Sequence, residues 1–141
     1  MAGIGASAGG LEALTAFIEE MPPDTGMTFV VVTHLSPDHK SVMDELLQRH
    51  TTMPVKQVLE EQLMIEPDHV YLIPPNRQLV LADTHLFSQE FEGPRAGRAP
   101  IDVFFRSLAA MHANPVAVLL TGGGTDGALI ATSRCRPTRR A

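Results

Sequence analysis

The stretch Gly3-Ile4-Gly5-Ala6-Ser7-Ala8-Gly9-Gly10 constrains this chain more than any other, because it runs straight into the helical pattern that begins Leu11-Glu12-Ala13-Leu14. It holds one serine among four glycines. Glycine tolerates positive φ and lets other groups approach the backbone, so such a stretch marks a strand-to-helix turn, with Ser7 at the carboxyl end of a strand. Three readings fit. Gly5 through Gly9 match G-x-S-x-G, a nucleophile elbow whose next N–H groups are free to hold an oxyanion. Gly3 through Ala8 match G-x-G-x-x-A, a dinucleotide fingerprint. The third reading is a turn that needs glycine and carries an incidental serine.

The remaining pattern is that of alternating strands and helices. Leu11, Leu14, Phe17 and Ile18 form an amphipathic stripe that Met21-Pro22-Pro23 ends. Residues 27–32 are apolar and β-branched apart from Thr28, as in a parallel strand buried on both faces, and they deliver His34 to its carboxyl end. Ser36-Pro37-Asp38 offers a helix start, followed by Val42, Met43, Leu46 and Leu47 as the next stripe. Residues 53–58 form a short strand, Glu60, Glu61 and Glu66-Pro67-Asp68 a polar connection, and Val70-Tyr71-Leu72-Ile73 a further strand.

Leu79-Val80-Leu81 and His85-Leu86-Phe87, split by Ala82-Asp83-Thr84, form an antiparallel hairpin without a two-residue Asn-Gly turn. Residues 93–99 are a loop of Gly, Pro and Arg. Pro100 opens a helix with Ile101, Phe104, Phe105 and Leu108 on one face and Asp102 near the positive end of its dipole. Residues 115–120 are an all-apolar strand feeding a second glycine loop, Thr121-Gly122-Gly123-Gly124-Thr125-Asp126-Gly127, after which a helix begins. The expected fold is α/β, a Rossmann-like doubly wound and mostly parallel sheet with an inserted antiparallel hairpin.

At 141 residues and 44% hydrophobic content, the chain has the size of one domain with a sizeable core. No apolar run approaches a membrane span and Met1 leads into a glycine turn, which predicts a soluble cytoplasmic protein. The single Cys135 makes no internal disulfide. The net charge is -5, and four of the eleven basic residues, Arg134, Arg136, Arg139 and Arg140, stand at the end of the chain. Without them seven basic face sixteen acidic residues, a balance of -9. An acidic body argues against a nucleic-acid or anionic-membrane surface, and residues 133–141 are expected to form a basic disordered tail.

Chemistry in an open parallel sheet gathers at the carboxyl ends of its strands. Three of those ends carry Ser7, His34 and Asp126. A serine hydroxyl needs an imidazole to take its proton, and the imidazole needs a carboxylate to fix its tautomer. A nicotinamide site wants an acidic residue where the second strand ends in Thr33-His34, and the usual α/β-hydrolase order puts the histidine last. Each residue also has a structural alternative: Ser7 as a helix cap, His34 as a satisfied strand-end histidine, Asp126 as a cap or Asx turn. His34, Asp38 and His39 lack the further ligand of a tetrahedral metal site. His50, His69, His85 and His112 read as scattered surface or loop residues.

The glycine stretch with Leu11-Glu12-Ala13, then Val31-Val32-Thr33-His34-Leu35-Ser36-Pro37, Tyr71-Leu72-Ile73-Pro74-Pro75-Asn76, Ile101-Asp102-Val103-Phe104-Phe105-Arg106-Ser107-Leu108-Ala109 and the Thr121 to Gly127 loop together resemble the catalytic domain of CheB-type protein-glutamate methylesterases of bacterial chemotaxis. The form is similar to that in CheB/CheR fusion proteins. The resemblance implies hydrolysis of glutamyl γ-methyl esters on chemoreceptor helices, with glutamine deamidation in some members. It places the nucleophile at Ser7, the base at His34 and the orienting carboxylate at Asp126, with oxyanion donors near Ala8, Gly9 and Gly123. It implies no metal or organic cofactor, methylated chemoreceptor helices as partners, and room for a methyltransferase or kinase module on a longer chain.

Three departures stand beside it. Gly123 takes a place where the family often has methionine, and no receiver domain is expected ahead of Met1. Residues 133–141 are unlike the family's continuing helices and strands. The expectation is therefore a catalytic domain over residues 1–132, incomplete at its carboxyl end, with an exposed apolar sheet edge.

Overall fold

The structure, a computed structural model, describes residues 1–6, 10–33, 43–91, 99–111 and 115–120. Its elements run β1 (Ala2–Ala6), α1 (Leu11–Glu20), β2 (Phe29–Thr33), α2 (Met43–Gln48), β3 (Val55–Gln57), β4 (Gln62–Met64), β5 (Val70–Leu72), β6 (Arg77–Ala82), β7 (His85–Glu90), α3 (Pro100–Met111) and β8 (Val116–Leu120). Five strands make a parallel sheet in the order β3-β5-β2-β1-β8. The other three make an antiparallel sheet, β4-β7-β6.

Alternation along the central strands sends side chains to two cores. Ala2, Ile4, Phe29, Val31, Val70 and Leu72 meet Leu14, Ile18 and Leu47 of α1 and α2 on one face. On the other, Val30, Val32 and Tyr71 meet Ile101, Phe104, Phe105 and Leu108 of α3. Leu79, Leu81 and Leu86 of the small sheet join that second core, so α3 lies between the two sheets. Ser107 ties it to β6, its Oγ accepting from the Leu81 N–H at 2.9 Å and donating to the Phe104 carbonyl. The continuous apolar runs of β1 and β2 are buried throughout, as a sheet covered on both faces requires.

Three local expectations differ from what is observed. The inserted element is a three-stranded sheet, because Gln62–Met64 within the presumed polar connection pairs with β7. Only Leu63 of those three packs inward against the core, so pairing rather than propensity makes this strand. The β6–β7 turn has a two-residue loop, since Ala82 pairs with His85, and Asp83 supplies the left-handed conformation (φ 57°) that glycine usually would. Leu11, on the predicted α1 stripe, stays 38% exposed at the helix start, while Leu14 and Ile18 bury completely.

The amino-terminal edge of the parallel sheet is locked by a polar cluster. Asp68, at φ 57°, accepts the Gly26 N–H at 2.7 Å, and the Tyr71 hydroxyl accepts the Glu66 N–H at 2.9 Å. His69 stacks on Tyr71 with ring centroids 5.9 Å apart, and its imidazole lies 2.8 Å from the Pro67 carbonyl and 3.4 Å from the Glu66 carboxylate. His69 therefore helps hold this edge together and is more than a scattered surface histidine. Burial pushes the Tyr71 phenol above its ordinary value of 10.0; the Glu66 N–H pulls it down less, and the Glu66 carboxylate adds to the rise.

A phenol raised in the folded state contributes stability that is complete below the unfolded value and lost as pH climbs through the folded one. Denaturation midpoints should therefore hold up to about pH 10 and then fall. Tyr71→Phe should weaken that alkaline component, and at neutral pH should cost about 1–2 kcal/mol, because the Glu66 N–H loses its acceptor.

Candidate active site

The carboxyl ends of three adjacent strands meet at one point on the sheet. Ala6, the last residue of β1, is in register with Thr33, the last of β2, and with Leu120, the last of β8. Neighbouring strands lie about 4.8 Å apart, so these three ends span roughly 10 Å. The chain runs outward from β1 through β2 to the edge strand β3, fills β5 between β3 and β2, and returns to β8 on the opposite side of β1. That reversal makes β1 and β8 the switch point beside which doubly wound sheets bind their ligands.

Ser7 follows Ala6 in the chain, His34 follows Thr33, and the loop with Asp126 follows Leu120. Ser7, His34 and Asp126 themselves lie outside the described residues, as do Asp38, His39 and His112, the oxyanion candidates Ala8, Gly9 and Gly123, the 93–98 part of the Gly/Pro/Arg loop, and the 133–141 tail. The described framework thus brings together the strands that lead into each of the three.

The first glycines have a different role from the one a turn would give them. Gly3 and Gly5 are strand residues of β1, and α3 lies against them. A Cβ on Gly5 would sit 2.6 Å from Ile101 Cγ2, and one on Gly3 would sit 2.9 Å from the Phe104 ring. Neither glycine forms the tight turn that a dinucleotide fingerprint needs, and that reading loses its physical basis. The helix-cap alternative for Ser7 also weakens, because Gly10 holds the N-cap of α1 and no side chain caps it there. α1 starts at Leu11, five residues after β1 ends at Ala6, so the positive end of its dipole lies at the same end of the sheet as the strand ends.

One polar group at this end was not singled out from sequence. Thr33 is 6% exposed, and its Oγ1 is buried without a hydrogen-bond partner among the described residues. The signal available was slight: a hydroxyl closing the otherwise apolar run Phe29-Val30-Val31-Val32. The other described histidines are elsewhere, His50 facing Glu19 between α2 and α1 and His85 on the small sheet. Among the described residues no group of three or more His, Cys, Asp or Glu side chains could hold a metal ion, and no helix is long and apolar enough to cross a membrane.

Fold and strand ends together define a doubly wound α/β domain with its candidate site at the carboxyl ends of β2, β1 and β8. A family profile described as CheB methylesterase matches residues 2–133, and the chain belongs to that family. A protein-glutamate methylesterase/protein-glutamine glutaminase 2 of Xanthomonas oryzae pv. oryzae is 38% identical over 130 residues, covering 89% of this chain and 36% of the relative. A protein-glutamate methylesterase/protein-glutamine glutaminase of Yersinia pestis bv. Antiqua is 36% identical over 130 residues, 89% of this chain and 37% of the relative. The chain thus spans little more than a third of the length of these relatives. The crystal structure of the Thermotoga maritima CheB methylesterase catalytic domain superposes with a TM-score of 0.80 at 26% identity, covering 93% of this chain and 71% of that one.

Gly5→Ala should lower unfolding free energy by about 1–3 kcal/mol through overpacking against Ile101. In a denaturant double-mutant cycle, Ile101→Ala, which removes the colliding Cγ2, should cost less in the Gly5→Ala background than alone; strict additivity would show that the two do not share this contact.

Proposed function

We propose that this chain hydrolyses glutamyl γ-methyl esters on the cytoplasmic helices of bacterial chemoreceptors, with Ser7 as nucleophile, His34 as general base and Asp126 as the carboxylate that orients it. The observation that carries the proposal is the register of Ala6 with Thr33 and Leu120, which sets the three chain exits side by side. Methyl ester and side-chain amide differ only in the leaving group, so deamidation of glutamine is the natural second activity. The names of the relatives, methylesterase and glutaminase, fit both.

In this mechanism the Ser7 Oγ attacks the ester carbonyl while His34 takes its proton, and Asp126 steadies the imidazolium. Backbone N–H groups near Ala8, Gly9 and Gly123 are assigned to the oxyanion of the tetrahedral intermediate. Its collapse breaks the bond to the methoxy oxygen, which takes the proton from His34 and leaves as methanol. Water, deprotonated by His34, then attacks the glutamyl-serine ester; its collapse returns the proton to Ser7 and frees the glutamate carboxylate. None of these steps calls for a metal or organic cofactor. The chain is acidic once its terminal arginines are set aside, so the proposed partner is a methylated protein helix and not nucleic acid.

Methanol release from a methylated receptor cytoplasmic fragment tests this directly. Ser7→Ala should reduce kcat by about a thousandfold or more. Equal rates for the two proteins would reject Ser7 catalysis and favour an interaction domain that keeps the family fold without its chemistry.

A further inference from the structure

The buried hydroxyl of Thr33 has no hydrogen-bond partner among the described residues. Phe29, Val31 and Thr33 alternate onto the sheet face that α1 and α2 cover, and Thr33 closes β2 opposite Ala6, itself buried. On the other flank β5 has ended at Leu72, and the chain continues through Ile73 into buried Pro74, which has no N–H to donate. Oγ1 accordingly has no hydrogen-bond partner among the described residues. Valine has nearly the same shape, is as good a strand former, and already occupies the three positions before Thr33. Retaining a hydroxyl there forfeits its hydration without a compensating bond among the described residues.

We infer that Thr33 is a positioning residue for the esterase reaction: its hydroxyl forms a hydrogen bond across the ends of β1 and β2 when substrate is engaged, fixing the strand end from which His34 leaves. This rests on the proposed function above. The hydroxyl touches no reacting atom; it acts through His34. An imidazole that must reach a serine hydroxyl on one side and a carboxylate on the other tolerates little displacement, so one anchoring bond at the root of its segment changes the rate and not the binding of the ester.

Ser88 provides a matched control. It is also buried with an unpartnered Oγ, but it lies on β7 in the inserted sheet, away from the carboxyl ends of β1, β2 and β8. Steady-state methanol release from a methylated receptor fragment, together with thermal melting, should be measured for wild type, Ser7→Ala, Thr33→Val, Thr33→Ser and Ser88→Ala in the full chain. Thr33→Val should lower kcat roughly tenfold with KM unchanged, the size of effect one hydrogen bond supplies, and should melt no lower than wild type. Thr33→Ser should recover most of the rate, and Ser88→Ala should leave kcat at the wild-type value.

A Thr33→Val protein with wild-type kcat would overturn the inference while leaving the Ser7 reading intact. So would a Thr33→Ser protein as slow as Thr33→Val, since shape and not the hydroxyl would then matter. A lower melting temperature for Thr33→Val would show that the hydroxyl serves the fold, again against the inference. Wild type no faster than Ser7→Ala would remove the function and this inference together.

Discussion

The close seating of α3 on β1 is the contact on which the rest of this structure depends. Two strand positions without side chains, Gly3 and Gly5, let Ile101, Phe104, Phe105 and Leu108 approach a central strand more closely than any Cβ would allow. With α3 seated there, the face of the sheet opposite α1 and α2 is sealed, and β1 can lie at the centre with β2 and β8 in parallel on its flanks. The same helix carries the inserted sheet on its far side through Leu79, Leu81 and Leu86. Side chains at the two glycines would lift α3 and separate the strand ends from the layer that keeps them in register.

That packing gives the site its division of labour. Buried β1 and β2 and the partly buried β8 set the positions, and in the proposed site the segments that follow their carboxyl ends in the chain supply the reactive groups, the usual arrangement for chemistry borne on loops over a packed scaffold. The polar cluster of Asp68, Glu66, His69 and Tyr71 is at the opposite edge, where it fastens the start of β5 and stays clear of the site. Near the proposed site the polarity is of another kind: among the described residues the Thr33 hydroxyl has no hydrogen-bond partner and the amino end of α1 has no side-chain cap.

Much of the fold was legible in the sequence because its signals are periodic. Ile101, Phe104, Phe105 and Leu108 recur at helical spacing and are all buried, and the apolar, β-branched run of β2 reads as a strand covered on both faces. What could not be read depends on neighbours distant in the chain. Gln62–Met64 becomes a strand because β7 is there to pair with it, and Asp83 turns the hairpin with a backbone conformation its residue type only permits. Gly3 and Gly5 look like turn residues until α3, almost a hundred positions later, is seen against them. For the proposed site, sequence named three strand ends, and the register shows that β1, β2 and β8 end side by side. Thr33 escaped notice because an unmet hydrogen bond has no signature in sequence.

In the proposed site β1, β2 and β8 bring a reactive serine, its base and the orienting carboxylate to one place. Treatment with a fluorophosphonate, which forms a stable bond only with an activated serine, followed by mass mapping of the adduct, tests it most directly. The account predicts a single adduct on the peptide containing Ser7, lost when His34 is replaced by alanine and slowed when Asp126 is replaced by asparagine. Labelling at a different serine, or labelling of Ser7 at an unchanged rate without His34, would contradict it.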